Sequence, residues 1–368
     1  MTESRNLAEL VNDRIEEFLE TRASILAHLG DDLLPFSAFS REFLSGGKRF
    51  RASFSYWGWQ SVRSAAGDVG QPTSDELRAV VTLAASLEIF HAAALVHDDI
   101  IDNSDTRRGA PAAHRRFEKL HTDGGWDGDG DDYGRASAIL LGDLLLGWSD
   151  EILDEALALV DRATSIRVRA EFMRMRTEVT AGQYLDILEE RAWRSRPESE
   201  HRERAQRVVV FKSAKYSIEA PLALGALLAG GSDDQLEALR SFGLPLGVAF
   251  QLRDDLLGVF GDEKVTGKPS GDDLREGKRT VLIALTREAV PAPTKNLIDE
   301  LLGDPTLEPE QIASLQATIT ESGAVDRSEE IIAENVRVAR AALDGAPLGA
   351  EAIERLSELA ETVTRRNY

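Results

Sequence analysis

Two aspartate pairs in apolar surroundings are the residues of this chain best suited to bind a metal. In "LVHDDIID", Asp98 and Asp102 are four residues apart and share a helix face, with Asp99 about 100° round the helix. In "FQLRDDLLG", Asp254 and Asp255 form a second pair further along the chain. Carboxylates this close repel each other unless a cation lies between them. The pattern predicts Mg²⁺, which one or two carboxylates hold together with substrate phosphates.

Basic side chains near the first pair predict that the metal meets a phosphate group. Arg107 and Arg108 follow the first pair, and guanidinium groups form bidentate hydrogen bonds with phosphate oxygens. In "SGGKRFR", the glycines let backbone amides approach an anion, while Lys48, Arg49 and Arg51 add positive charge. The spacing of this segment is not that of a Walker loop.

The few lysines of the chain are concentrated beside these segments. Only eight of the 43 basic residues are lysines. Four of the eight lie in or beside the suspected elements: Lys48, Lys212, Lys268 and Lys278. In a chain of net charge −21, this concentration predicts two anion sites.

Simpler explanations compete with a metal site. The Asp pairs at 31, 131 and 233 lie beside glycines, where a solvated carboxylate or a helix cap accounts for them. The Gly-rich stretch 121–134 resembles the start of a calcium loop, but Asp132 replaces the required glycine and Ala138 the required glutamate. We therefore interpret it as a solvated acidic loop. For the two apolar pairs, the alternative is a surface network of salt bridges.

Composition limits the function classes. The 368 residues are 42% hydrophobic, and the net charge of −21 argues against a general nucleic-acid binder. The sequence has no cysteine, which excludes disulfides and thiolate chemistry. No run approaches the roughly 18 apolar residues of a membrane span, and the acidic, amphipathic start is unlike a signal peptide. These features predict a cytoplasmic enzyme without a membrane span.

Helices must position the acidic pairs. A run without Gly or Pro from Asp75 to about Asp102, with Ser74 as expected N-cap, predicts a helix roughly 40 Å long. Ser232 and Gln235 have the spacing of a capping box and open a second helix. We expect this helix to break near Gly243 and Pro245, to resume to Phe260 and to stop at Gly261. Few segments alternate like strands, so we predict an all-α fold with one domain over 1–368.

Motifs along most of the chain resemble those of the trans-type polyprenyl (isoprenyl) diphosphate synthases. The elements occur in the family's order: "GGKRFR", "DDIIDNSDTRRG", "GQYLD", "FKSA", and "FQLRDDLLGVFGD" followed by "TGKPSGDDLREGKRT". The resemblance implies a single large helical bundle around a central cavity, a homodimer, and about three Mg²⁺ ions per active site. The substrates would be isopentenyl diphosphate and an allylic diphosphate.

The resemblance also implies roles for individual residues. Mg²⁺ would be bound by Asp98, Asp99 and Asp102 from one side and by Asp254, Asp255 and Asp272 from the other. The allylic diphosphate would be gripped or lined by Arg107, Lys212, Lys268, Gln183, Asp186, Ser213 and Gln251. Isopentenyl diphosphate would be bound by Lys48, Arg51, His91 and Arg108, although His91 could instead be a packed helix residue. The residues expected to act most directly in catalysis are Asp98, Asp102, Arg107, Lys212, Asp254 and Lys268.

The sequence departs from the family pattern at the second acidic motif. That motif usually reads D-D-x-x-D, but Gly258 stands at its last position and removes one metal ligand. Two other classes therefore stay open: a noncatalytic partner subunit, which Gly258 alone supports, and a terpene cyclase, which would need a different second motif. Both Asp pairs and the Arg pair are intact, which favours the synthase.

Small residues before the first motif predict the product. Ala94 and Ala93 lie about 6–7.5 Å down the helix from Asp98, and Phe90 lies about 12 Å down on nearly the same face. A farnesyl chain should therefore fit and extend at least once more. This predicts geranylgeranyl diphosphate, as in the bacterial geranylgeranyl diphosphate synthases that the chain resembles most. A farnesyl or a longer-chain product is the alternative.

Overall fold

Helices account for nearly all of the secondary structure in the computed structural model. It describes residues 2–65, 67, 70–107, 109–261 and 270–364. Within these residues, the strands are limited to one short antiparallel hairpin, Thr106–Arg107 (β1) with Ala110–Pro111 (β2). The predicted all-α fold is confirmed. Two predicted site residues, Arg108 and Lys268, lie outside the described residues.

The chain forms two compact units. Unit 1 consists of Met1–Arg169 and Leu224–Gly231, and unit 2 of Ala170–Ala223 and Ser232–Tyr368. The prediction of one domain over 1–368 stays a prediction. The helices up to residue 157 are α1 (Thr2–Leu29), α2 (Leu34–Leu44), α3 (Phe50–Ala65), α4 (Ser74–Ile101), α5 (Ala113–Gly124) and α6 (Gly130–Leu157). The later helices are α7 (Arg162–Ala192), α8 (His201–Val208), a π-helical segment (Val209–Glu219), α9 (Ala220–Leu228), α10 (Asp233–Phe260), α11 (Asp272–Glu276), α12 (Val281–Ala289), α13 (Ala292–Leu301), α14 (Pro309–Glu321), α15 (Ala324–Ala341) and α16 (Ala350–Thr364).

Helix α4 forms the centre of unit 1. It begins one residue away from the prediction, because Thr73 and not Ser74 is the N-cap. The Thr73 hydroxyl accepts from the Glu76 amide, and the Glu76 carboxylate accepts from the Thr73 amide. Most of its alanines and leucines are buried, and the helix packs mainly on α6 and α3. By length and composition α4 would also suit a membrane span, but 83% of its most apolar window is buried inside the protein.

Helix α10 forms the centre of unit 2 and runs without interruption from Asp233 to Phe260. The predicted capping box at Ser232 and the stop at Gly261 are both present. The predicted break near Gly243 and Pro245 is wrong, because the helix continues through the proline. A Cβ at Gly243 would lie 2.9 Å from Glu219 Cα, and one at Gly247 2.5 Å from Ala214 O. These glycines therefore serve close packing on the π-helical segment.

The acidic stretch 121–134 is shorter as a loop than the sequence indicates. Helix α5 ends at Gly124, and α6 begins at Gly130 with Asp129 as its N-cap. Asp131 pairs with Arg115 at 2.8 Å and with Arg135 at 2.8 Å. Asp129 therefore caps a helix and Asp131 forms ion pairs, and the solvated acidic loop over this stretch stays a prediction.

Candidate active site

The first acidic motif ends helix α4. Asp102 is the C-cap, and its amide donates to the Asp98 carbonyl at 2.8 Å. The Asp99 side chain is fully buried, whereas the Asp98 side chain keeps 23% of its surface exposed. The three carboxylates that the sequence groups together therefore differ in environment: Asp99 points inward, and Asp98 and Asp102 remain accessible to solvent.

Arg107 is brought back onto these carboxylates by the β hairpin. Its Nε donates to Asp99 Oδ1 at 2.8 Å, its Nη2 contacts the same oxygen, and Nη2 lies 3.8 Å from Asp98 Oδ2. Gly109, with a φ of 75°, permits the tight turn between the two strands. The structure thus places the predicted cation beside two of the predicted metal ligands.

The basic segment 45–51 runs from the end of α2 into the first turn of α3. Lys48 is exposed and Arg51 is half-buried, as suits groups that meet a ligand. Arg49 differs from both, because its side chain is buried and paired with Glu88. The sequence could not reveal this inward arginine, since its charge made it look like part of the same basic cluster.

The predicted chain-length residues lie on α4 in two different environments. Phe90 is 3% exposed, and Ala93 is fully buried in the core cluster that contains Ile89 and Leu145. Ala94 is only half-buried, as is His91, the predicted ligand of isopentenyl diphosphate. Of the two small residues before Asp98, Ala94 is therefore the better placed to meet a ligand, because Ala93 is part of the hydrophobic core.

The second acidic motif lies near the end of α10 in unit 2. Asp254 is exposed, and Asp255 is 5% exposed. Burial raises the pKa of Asp255 to about 7, with the charges of Asp254 and Asp186 adding to the effect, and a hydrogen bond from Gln251 and the charge of Lys212 opposing it. Gln251 Nε2 donates to Asp255 Oδ1 at 2.8 Å. The ionised form of this carboxyl therefore needs a cation nearby.

Lys212 lies on the π-helical segment, a geometry that is frequent at functional sites. Its Nζ is 2.6 Å from Asp186 Oδ2, and Lys278 Nζ is 3.4 Å from the same oxygen. A Cβ at Gly182 would lie 2.4 Å from the Lys212 amide nitrogen, so only glycine lets α7 pack this closely on the π-helical segment. Of the other predicted residues, Gln183 lies on α7 and Ser213 follows Lys212, and both are half-buried.

Sequence reasoning missed two residues in unit 2. Asp273 lies against Gly258, where a Cβ would be 2.0 Å from Asp273 Oδ2, while the predicted ligand was its neighbour Asp272. Lys278 was noted in the sequence for its position but was given no role. The adjacent Asp pair at 272 and the scarcity of lysine were the signals that could have found both.

The carboxylates fit a magnesium ion that is bound together with a phosphate. Asp255 Oδ2 is buried and has no hydrogen-bond partner within the described residues, and Asp254 is adjacent. No three His, Asp or Glu side chains in the described part of the chain converge to hold a metal ion. Since Mg²⁺ is typically bound by one or two carboxylates plus substrate phosphates, an incomplete protein ligand set is what such a site requires.

Comparison with known proteins places these residues in a family. Residues 36–319 match the family model described as polyprenyl synthetase. A geranylgeranyl diphosphate synthase of Sulfolobus acidocaldarius is 30% identical over 83% of this chain and 79% of its own length. A geranylfarnesyl diphosphate synthase of Natronomonas pharaonis is 30% identical over 97% of this chain and 99% of its own length.

A solved structure agrees over nearly the whole chain. The geranylgeranyl pyrophosphate synthase of Corynebacterium glutamicum, complexed with isoprenyl diphosphate and magnesium, is 39% identical, with a TM-score of 0.90. The match covers 98% of this chain and 99% of that one. The similarity therefore includes the helices that carry both acidic motifs.

Proposed function

The chain belongs to the polyprenyl synthetase family, and we propose that this prenyltransferase joins isopentenyl diphosphate to an allylic diphosphate to make geranylgeranyl diphosphate. The observation that carries the proposal is the pairing of carboxylates with cations in each unit. Arg107 contacts Asp99 and Asp98 in unit 1, and Lys212 and Lys278 contact Asp186 in unit 2. The crystal complex of the Corynebacterium relative supports a divalent metal and an isoprenyl diphosphate ligand.

The chemistry that we propose is ionisation of the allylic diphosphate. Mg²⁺ would be held by the carboxylates of the acidic motifs, and when bound it would neutralise charge on the departing diphosphate. These carboxylates are Asp98, Asp99 and Asp102 in unit 1 and Asp254, Asp255 and Asp272 in unit 2. Positive charge beside the allylic diphosphate would come from Arg107, Lys212 and Lys268. Its binding site would be lined by Gln183, Asp186, Ser213 and Gln251. The allylic C–O bond then breaks without a side-chain nucleophile.

The second substrate completes the reaction. Lys48, Arg51, His91 and Arg108 bind the diphosphate of isopentenyl diphosphate, and its double bond attacks the allylic carbocation. The attack leaves a cation on the isopentenyl unit. The adjacent carbon then loses a proton to the released diphosphate, and the electrons of that C–H bond form the new double bond. Apolar side chains such as Phe90 must exclude water, because water would otherwise capture the cation.

The product length follows from α4. Ala94 is small and half-buried four residues before Asp98, and Phe90 lies one turn further down. A product longer by one isoprene unit is the second candidate, since the Natronomonas relative is a geranylfarnesyl diphosphate synthase. The number of metal ions, the homodimer and the cytoplasmic location stay predictions.

A direct assay tests the proposal. Purified protein is incubated with isopentenyl diphosphate, Mg²⁺ and dimethylallyl, geranyl or farnesyl diphosphate, and the products are separated by length. We expect a magnesium-dependent condensation that stops at geranylgeranyl diphosphate. A cyclic hydrocarbon would indicate a terpene cyclase, and no product from any primer would indicate a noncatalytic subunit.

A further inference from the structure

Arg49 adopts a backbone conformation that an arginine rarely takes. In the segment between α2 and α3, Gly46, Gly47 and Arg49 have φ values of 69°, 90° and 50°. Glycine enters this left-handed region freely, but a side chain with a Cβ does so at a cost. Such a conformation persists only where surrounding contacts enforce it, and it is often found at functional sites.

Contacts from three helices enforce the conformation of Arg49. Its Nη1 donates to Glu88 Oε2 at 3.0 Å, and its Nε and Nη2 donate to Asn12 Oδ1 at 3.1 and 2.8 Å. Nη2 also contacts the Leu44 carbonyl at the end of α2. Arg49 is 6% exposed and Glu88 5%, so the ion pair is removed from solvent.

Glu88 links this arginine to the helices that flank the basic segment. Its second oxygen, Oε1, accepts from the Ala52 amide in the first turn of α3 at 3.4 Å. Glu88 itself lies on α4, one turn before His91, and the same helix ends at Asp98 and Asp102. The buried pair therefore fixes the start of α3 and the segment 45–51 relative to the helix that carries the first acidic motif.

We propose that Arg49 and Glu88 are positioning residues for isopentenyl diphosphate. Glu88 holds Arg49 inward. Lys48 comes one residue before Arg49 and Arg51 two residues after it, so this contact keeps both in a fixed arrangement for one diphosphate. The inference rests on the proposed function. Stability alone does not explain the pair, because well-packed apolar residues often replace a buried ion pair without loss of stability.

Glu88→Gln and Arg49→Gln test the proposal against a matched control, Arg14→Gln. Arg14 is similarly buried in unit 1, at 8% exposure, and bonds to Thr82 on α4 at 3.3 Å and to Glu155 on α6, but not to the segment 45–51. We expect the KM for isopentenyl diphosphate to rise about tenfold or more in both test variants, since misplaced binding groups lose substrate contacts. The KM for the allylic substrate should stay near the wild-type value, and Arg14→Gln should change neither.

A double variant separates positioning from stability. Arg49→Met with Glu88→Leu removes both charges, so the melting temperature should recover towards wild type while the KM for isopentenyl diphosphate stays raised. If KM recovers together with the melting temperature, or if the KM values of both substrates rise alike in the single variants, the positioning role is refuted.

Hydrogen exchange provides a readout that does not need activity. The amides of residues 45–52 should exchange faster in Glu88→Gln than in wild type and Arg14→Gln. Unchanged exchange there would overturn the inference even if the enzyme condenses its substrates. If the wild type makes no product but Glu88→Gln still exchanges faster at residues 45–52, the positioning of the segment is upheld and the proposed function is overturned.

Discussion

The carboxylate of Asp273 occupies the space that a side chain at position 258 would fill. A Cβ on Gly258 would lie 2.0 Å from Asp273 Oδ2 and 2.4 Å from its Cγ. Position 258 lies one helical turn after Asp254, where the family motif usually has its last aspartate. We therefore expect Asp273 to bring a carboxylate to the place where the sequence lacks one.

A swap of the two residues tests this relationship. Gly258→Asp restores the D-D-x-x-D sequence of the family motif. Alone it should nevertheless lower turnover, because the new side chain displaces Asp273. Gly258→Asp combined with Asp273→Gly should recover a large part of the activity. Gly147→Ala, at a helical glycine with open space around its Cβ, is the control for the loss of a glycine. An active single variant, or a double variant that is no better than the single one, would contradict the expectation.

Removal of either acidic motif should abolish most of the activity. Asp98→Ala and Asp254→Ala are each expected to lower kcat by about 100-fold or more, since each leaves charge on the departing diphosphate uncompensated. Steady-state rates at saturating Mg²⁺ measure the effect, and Asp32→Ala, at an exposed aspartate, is the control. The metal assignment fails if either variant works at near-normal rate, or if wild type keeps its rate in excess chelator.

The two diphosphates should respond to different basic residues. Lys48→Ala or Arg51→Ala should mainly raise the KM for isopentenyl diphosphate. Lys212→Ala should mainly raise the KM for the allylic diphosphate, because Lys212 lies with Asp186 in unit 2. Lys119→Ala, at an exposed lysine paired with Asp123, is the matched control. Equal effects of all three test variants on both substrates would argue against two separate binding sites.

Product length should depend on Ala94 and Phe90. Ala94→Phe should shorten the main product, and Phe90→Ala should lengthen it, as measured by chromatography of the hydrolysed products. Ala93→Phe should act differently: it overfills a fully buried core position, so it should lower stability by about 1–3 kcal/mol rather than shorten the product. If neither Ala94→Phe nor Phe90→Ala changes the length of the product, side chains of α4 do not determine it.

The stability of metal-free protein should depend on the ionisation of Asp255. Its pKa is raised to about 7, so the folded protein binds a proton that the unfolded chain releases near its ordinary pKa. This contribution is fully present below the unfolded pKa and is lost as the pH rises through about 7.

Melting temperatures in chelator measure this loss. Between about pH 5.5 and pH 8, the wild type should lose more stability than Asp255→Asn, which cannot ionise. Asp32→Asn should follow the wild type. Parallel pH profiles for wild type and Asp255→Asn would show that the buried carboxyl does not titrate in this range.

Features that depend on neighbouring residues were predictable from the sequence. The all-α fold followed from helical spacing without strand patterns, and the capping box at Ser232 depends on residues three positions apart. The chemistry of the acidic and basic motifs was also visible, since carboxylates in apolar runs need a cation wherever the chain places them. Even the family could be identified, because its motifs are short segments in a fixed order.

Features that depend on contacts between distant segments were decided only by the tertiary structure. The sequence grouped Arg49 with Lys48 and Arg51, but Arg49 is buried and paired with Glu88 on α4. It likewise indicated a break at Gly243, whereas α10 continues there and the glycine packs closely on Glu219. The sequence alone does not distinguish an exposed arginine from a buried one, or a glycine that ends a helix from one that permits close packing. Which role such a residue takes is set by the burial and the partners that folding brings to it, and these lie tens of residues away along the chain.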